Sequence, residues 1–519
     1  MTNPAQAIRM LVTYAICVPL AIFMGFVMTE VGNNPDYTNL FYVGIVIAVL
    51  ASPIFIKYHY PIMVFGLGCP MVCFFLKGHP PLSQVVVLLS LLIAVVERTV
   101  NSDRRFISVP VMTWPLLYTV AMVVFTAEMT GGIGLHSLGG DLGGGQKYVA
   151  LFIGVGVFFA LTSRKIPKEK RSFYVLLVCL AGTPAFISDL FPYLPAPLNY
   201  INLFFPPSGA AVSGDNVGGA ASRMASFAAT AGVLANFMLV KYGLRGIFSA
   251  YKPARSVTFI FLLILTMFGG FRLTVIGYGE MILLLFFMEG LHRTRFVLVF
   301  IFGGILAAAL VVPFADKLPY SFQRALSFLP LHVDPAAKMD ADGSRVWRET
   351  MWADVWPQVP QYLLLGKGYA LHQEDFDRMG GGNFESLGAN LDASQQGLAI
   401  SGDYHNGPLS TLMPFGIWGM ISYVWVSCAT IFVLYRNKRY GDGELQTVNN
   451  FILAQAIGGF IGFFFLFGSY AYDIGSMAKF AGLSIAFNWG INSAPARAAV
   501  NSRIHRVPVR GRGQRIQPA

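Results

Sequence analysis

The sequence predicts an all-α membrane protein: a polytopic integral helical bundle of about fourteen spans with one large periplasmic loop carrying short helices. Three observations carry that expectation. Hydrophobic residues make up 55% of the chain and charged residues only 12%, well below the charge share of soluble domains. Runs at 41–55, 85–96, 259–268 and 281–288 hold almost no ionisable group, and in hydrocarbon such runs must be helical so that every backbone amide finds an internal partner. The cations, finally, fall in short clusters between apolar runs, which is the positive-inside pattern.

With the amino terminus in the cytoplasm, spans are expected at 8–29, 39–57, 61–77, 82–97, 109–129, 148–163, 172–190, 220–240, 255–270, 273–290, 296–315, 405–435, 449–469 and 474–491. The first reads as a retained span, too long for the core of a cleaved leader. Clusters around Arg98–Arg105, Arg164–Arg171, Lys241–Arg255, Arg293–Arg295 and Arg436–Arg439 then lie inside, with Lys77 a mild exception. The segments 30–39, 128–146, 191–221 and 470–473 lie outside and hold no Lys or Arg. Both termini fall on the cytoplasmic side of a bacterial inner membrane. The organisation that results is 1–254 amino-terminal spans, 255–315 core spans, 316–404 the large periplasmic loop, 405–491 carboxy-terminal spans and 492–519 a basic cytoplasmic tail.

The net charge of +11 points to anionic membrane lipids rather than nucleic acid, because no aromatic residue interleaves the tail arginines. Cys17, Cys69, Cys73, Cys179 and Cys428 all fall inside expected spans, so no disulfide framework is predicted. Cys69 and Cys73 would share a helix face and pack there. The Pro- and Gly-rich stretch 191–219 reads either as an ordered lid or as a plain connection. In the large loop a helix is expected from Ser344, capped by Asp342, Gly343 and Ser344, to Trp356. Trp347, Trp352 and Trp356 would line one side of it at headgroup level. Asp340 with Asp342, and Glu374, Asp375 and Asp377, are close in sequence but match no calcium-loop pattern, so no metal and no cofactor is predicted.

Three residues stand out because of where the alternation puts them. Arg272 lies at the outer turn between two spans, where positive-inside bias disfavours a cation. Arg345 opens the expected loop helix, and His405 sits where the loop re-enters the membrane. Charges at such positions are functional candidates. Guanidinium groups bind phosphate oxygens through a planar fork and cannot lose their proton. A histidine near its ordinary pKa accepts a proton at neutral pH. Transfer of a sugar from a lipid pyrophosphate to a hydroxyl needs these parts. Arg348, close to the same helix face, is a candidate to share the task of Arg345. Gly366 and Gly368 read either as a turn or as a phosphate-proximal loop. Tyr404 and Asn406 are placed to orient the base or the acceptor, with helix capping an equal reading for Asn406.

The succession Ser344-Arg345-Val346-Trp347, Leu365-Gly366-Lys367-Gly368-Tyr369, His405-Asn406 with Leu409, and Gly416-Ile417-Trp418-Gly419-Met420 resembles the signature of the O-antigen ligase superfamily, over roughly residues 255–435. The resemblance implies a metal-independent, inverting glycosyltransferase of the type C class. It would carry a glycan from undecaprenyl pyrophosphate to an acceptor sugar, either lipid A-core (a ligase) or another lipid-linked glycan (a polymerase). It implies His405 as catalytic base and Arg272 and Arg345 as pyrophosphate-binding residues. A transporter or flippase for lipid-linked sugars is the reading from another class. It would call for paired charges at mid-span and an inverted repeat.

Overall fold

The computed structural model describes residues 37–493 except 77, 102–104, 132–143, 191–192, 196–197, 208–222 and 371–401. The expected first span, Cys17, the basic tail from Ala494, and Glu374, Asp375 and Asp377 lie outside the described residues. Within them every regular element is helical, and the one β contact is an isolated bridge between Val72 and Pro81.

Fourteen helices matter for the site and its frame. They are α1 (Tyr37–Gly66), α2 (Leu82–Val100), α3 (Pro110–Thr130), α4 (Gly144–Thr162), α5 (Arg171–Leu180), α6 (Ala225–Ile247) and α7 (Pro253–Thr266). There follow α8 (Arg272–Met288), α9 (Phe296–Val311), α10 (Tyr320–Leu326), α11 (Pro335–Val355), α12 (Leu409–Tyr440), α13 (Gln446–Phe465) and α14 (Tyr470–Asn488). Eight helices among the described residues are long and apolar enough to cross a membrane.

One expected span does not form a helix of its own. The helix that should have run over 61–77 ends at Gly66, as the tail of α1 beyond a kink at Tyr58. Gly66, Gly68 and Pro70 disfavour its continuation, and the described residues of 67–81 form turns instead, with the Val72–Pro81 bridge among them and the Val72 amide donating to the carbonyl of Phe204. Cys69 and Cys73 therefore share no helix face; both are buried, unbridged thiols in this irregular segment. Of the 191–219 stretch, the described part carries a short helix, Ile201–Phe204, whose Phe204 ring meets Phe74 edge-on at 4.9 Å.

The loops sort into two sets that touch among themselves. At one end Arg164 pairs with Glu97 at 2.5 Å, Tyr60 donates to the Leu161 carbonyl, Arg171 pairs with Asp442, and Glu289 accepts from the Leu244 and Arg245 amides. At the other, Gln146 donates to the Gly78 carbonyl, Asp189 accepts from the Phe227 amide, and Arg324 donates to the Gly270 carbonyl. Each of these contacts joins segments that the sequence expectation assigns to one side.

Most of the core lies where α1–α5 meet α12–α14, with Tyr423 and Phe463 stacked at 3.6 Å between centroids. A second core packs α6, α7 and α8 against α13. Helix α9 buries none of its side chains, as expected of an all-apolar helix whose solvent is lipid.

The hydrophilic loop folds onto the second end of the bundle. Helix α11 begins at Pro335, with the Asp334 side chain accepting from the Ala336 amide at 2.7 Å. Aspartate at the cap with proline at the first helical position is a stronger start than the Ser344 cap expected from sequence. Ser344 and Arg345 therefore sit in mid-helix. Trp347 and Trp352 do not line a headgroup-facing side either. They pack inward against a small core of Met351, Val355, Tyr404, Leu409 and Met413, whereas Trp356 points away, exposed.

Candidate active site

Six stretches of chain converge on a cavity of about 530 Å³ at this second end: the approach to α6, the start of α8, α10, α11, the approach to α12 and the residues just after α13. Arg272, Arg345, Arg348 and His405 all line it, and so do Arg223 and Arg324. The structure thus brings together the three residues singled out by membrane position and the supporting Arg348, and adds two arginines that the sequence reading passed over. Arg223 stands at the outer end of the expected span 220–240 and Arg324 in the expected outer loop. On that expected orientation both go against positive-inside bias as Arg272 does, and that was the signal available.

The arginines are not equivalent. Gly270, in the left-handed region at φ 66°, turns the chain so that Arg272 opens α8. Its Nε donates to Ser327 Oγ at 3.1 Å and its Nη2 to Asp342 at 3.3 Å. Arg324 is buried and holds three partners: Asp340 at 2.7 Å, the Gly270 carbonyl at 2.7 Å and Ser344 Oγ at 3.1 Å. Arg223 donates to both oxygens of the same Asp340, at 3.1 and 2.8 Å. Burial alone would raise the Asp340 carboxyl, but the hydrogen bond and charge of Arg324, seconded by Arg223, hold it below its ordinary range. Arg345 is 62% exposed and meets Glu349 at 3.8 Å. Arg348 is more deeply set, and its Nε is buried without a hydrogen-bond partner. Burial, and then the charge of Arg272, depress its pKa.

His405 precedes α12, whose first helical residue is Leu409 rather than His405 itself. Its φ of 50° is a left-handed value that costs a non-glycine residue of order 1 kcal/mol. Local bonds hold it there. The Tyr404 amide donates to Ser410 Oγ at 3.0 Å, the Trp352 indole donates to the Tyr404 carbonyl at 2.7 Å, and the His405 amide leans on Asp403 Oδ1 at 3.4 Å. The ring lies between Trp347, edge-on at 5.4 Å, and Phe467, tilted at 4.8 Å. Its Nδ1 is 3.7 Å from Asp403 Oδ1. Burial pushes the imidazole below 6.5, Asp403 opposes that, and Arg348 adds to it. Burial and Arg348 thus both favour the neutral imidazole.

Asn406 caps α12: its Oδ1 accepts from the Leu409 amide at 3.1 Å. Tyr404 is buried in the small core under α11. Gly366 and Gly368 do not line the arginine cavity. Both adopt positive φ, at 80° and 70°, and tie the loop to α12 through Lys367 N–H to the Met413 carbonyl and Gly368 N–H to the Pro414 carbonyl. A Cβ on Gly366 would run into the Pro414 carbonyl. Gly366→Ala is expected to lower unfolding stability by about 2 kcal/mol or more, read as a drop in the thermal midpoint of the purified protein. An unchanged midpoint would mean that this loop yields freely. The Asp340 and Asp342 carboxylates are taken up by arginines, and no group of three or more His, Cys, Asp or Glu converges among the described residues.

Residues 257–424 match the family model described as O-Antigen ligase. The matched segment, about a third of the chain, contains Arg272, Arg324, Arg345, Arg348 and His405; Arg223 lies before it. No curated protein matches the chain. The chain thus resembles the O-antigen ligase superfamily over the segment that builds the cavity. The match supports a membrane-embedded glycosyltransferase of the O-antigen ligase or polymerase type, acting on lipid-linked glycans.

Proposed function

We propose that the protein transfers a glycan from undecaprenyl pyrophosphate to a sugar hydroxyl, on the periplasmic face of the inner membrane. The bundle then has about fourteen spans, counting one before the described residues, and both termini are cytoplasmic. The observation that supports this most is the cavity itself: guanidinium groups surround one histidine, and Phe271, Leu273, Ile276, Leu466 and Phe467 form an apolar wall beside them. Asp340 pairs with Arg223 and Arg324, Asp342 with Arg272 and Glu349 with Arg345, which leaves Arg348 without an ion pair among the described residues. A diphosphate esterified at both ends carries about two negative charges, since each phosphorus retains one acidic oxygen.

In this reading the sugar C1–O bond to the diphosphate breaks as the acceptor oxygen bonds to C1 from the opposite face. The acceptor proton passes to His405, and the departing diphosphate keeps the electron pair of the broken bond. Arginine charge offsets the negative charge that grows on the leaving oxygen. The apolar wall suits the first isoprene units of the carrier.

Purified protein mixed with undecaprenyl-pyrophosphate-linked glycan, lipid A-core and a chelator should release undecaprenyl pyrophosphate and place glycan on the core. Lengthened lipid-linked chains instead would assign the polymerase reaction. Movement of the intact lipid-linked glycan across vesicles without release would overturn the transferase reading in favour of a flippase. Glu280 and Lys479 do lie at mid-span, but neither pairs with an opposite charge among the described residues, unlike the paired arrangement a transporter would use.

A further inference from the structure

A second cavity, of about 690 Å³, opens at the other end of the bundle. Helix α4, 19 residues long, runs between the two ends, which puts them about 28 Å apart at 1.5 Å per residue. Four cations, Arg105, Arg164, Lys165 and Lys170, line this second cavity, and no carboxylate does among the described residues. Tyr60, Tyr174 and Trp489 supply its aromatic walls, with the two tyrosine rings edge-on at 5.7 Å.

Four separate pieces of chain build the hollow, Tyr60 of α1 being one of them. The 105–108 segment is tied down by the Ile107 amide donating to the Thr162 carbonyl at 2.9 Å. The 163–170 loop is held by Trp489, whose indole donates to the Ile166 carbonyl at 2.6 Å. Trp489 does so from a left-handed φ of 63°, a conformation that a bulky residue keeps only when its surroundings enforce it. Arg164 is anchored by Glu97 through Nη2 at 2.5 and 2.6 Å, while its Nε stays buried without a partner. Lys165 and Lys170 are exposed and have no ion-pair partner among the described residues.

We infer that this hollow binds a phosphate-bearing group, separate from the transferase cavity and independent of the reaction proposed for it. Positive-inside bias explains cations at this end, but it does not call for a walled cavity in which Lys165 and Lys170 stand without an ion pair among the described residues. Aromatic side chains that sit at headgroup depth, with basic groups between helices, are suited to an anionic lipid headgroup. A soluble phosphate compound would use the same contacts.

The test is native mass spectrometry of the full-length protein, released from bilayers of phosphatidylcholine with phosphatidylglycerol or cardiolipin. A parallel titration uses inorganic phosphate in neutral detergent. R105Q/K165Q/K170Q is compared with K241Q/R245Q/K252Q, which removes the same charge from exposed positions outside the cavity. Thermal melting checks that both variants fold. Retention of the anionic lipid should fall about tenfold or more in the first variant and little in the second. Phosphate binding with the same variant dependence, in place of lipid retention, would support the site and assign it to a soluble ligand. Equal loss in both variants would overturn the proposal and leave a diffuse surface field. So would the absence of any bound anion in the wild type.

Discussion

His405→Ala should lose glycan transfer by a factor of about a hundred or more while the protein inserts and melts as the wild type does. The ring lines the cavity and its backbone is held at positive φ: the Trp352 indole donates to the Tyr404 carbonyl, the Tyr404 amide to Ser410 and the His405 amide to Asp403. Truncation at Cβ leaves all of those bonds in place, so stability should change little. The pH profile gives the sharper test. Burial, reinforced by Arg348, lowers the imidazole pKa, and Asp403 acts against both. A base must be neutral to accept the acceptor proton. Activity should therefore be flat through neutrality and fall on the acid side, with the midpoint of kcat/KM below about 6.5. Removing a group that raises the pKa must move the limb further down, so Asp403→Asn shifts it to lower pH. Arg348→Gln removes a group that lowers the pKa and shifts the limb up. A limb that ignores both substitutions would exclude His405 as the titrating base. Full activity in His405→Ala would exclude it from the chemistry altogether.

Much of this arrangement was legible in the sequence because a bilayer imposes simple rules. If cations cluster on one side, Arg272 falls at an expected outer turn and His405 at an expected re-entry point, and both could be picked out without knowing what they touch. Contacts set by the packing of distant segments were less accessible. Asp340 takes Arg324 from 16 residues away and Arg223 from 117, and neither partner follows from local pattern. Where the reading erred, competing local signals were present. Asp334-Pro335 is a better helix start than Asp342-Gly343-Ser344, yet Ser344 lies nearer the arginine of interest. Gly66, Gly68 and Pro70 were visible inside a hydrophobic run, and hydrophobicity outweighed them. The paired glycines Gly366 and Gly368 invite a phosphate reading, but only the kinked start of α12, with Pro414 and Gly416, shows that they are spacers between loop and helix.

Arg348→Ala should impair donor use far more than Arg345→Ala, the reverse of the order suggested by sequence alone. The two lie one helical turn apart on α11 and both reach the cavity. Arg345 is largely exposed and already faces Glu349, so water and an ion pair screen its field. Arg348 is half-buried, next to His405, and has a buried Nε without a partner. A buried cation left incompletely satisfied is costly unless an anion arrives, which makes it the guanidinium best prepared for a developing negative charge. Loss of such a preorganised donor typically costs about a hundredfold or more in kcat, and a cation that acts mainly as the leaving group departs should show the loss in kcat more than in KM. Arg345→Ala should cost less than about tenfold, chiefly in KM, and added salt should reproduce part of that loss. Arg348→Lys should recover little, since a point charge cannot present the planar fork. If Arg345→Ala proves the more damaging variant, α11 must rotate or the loop must close when donor binds, and the cavity seen here would be an open form of the site.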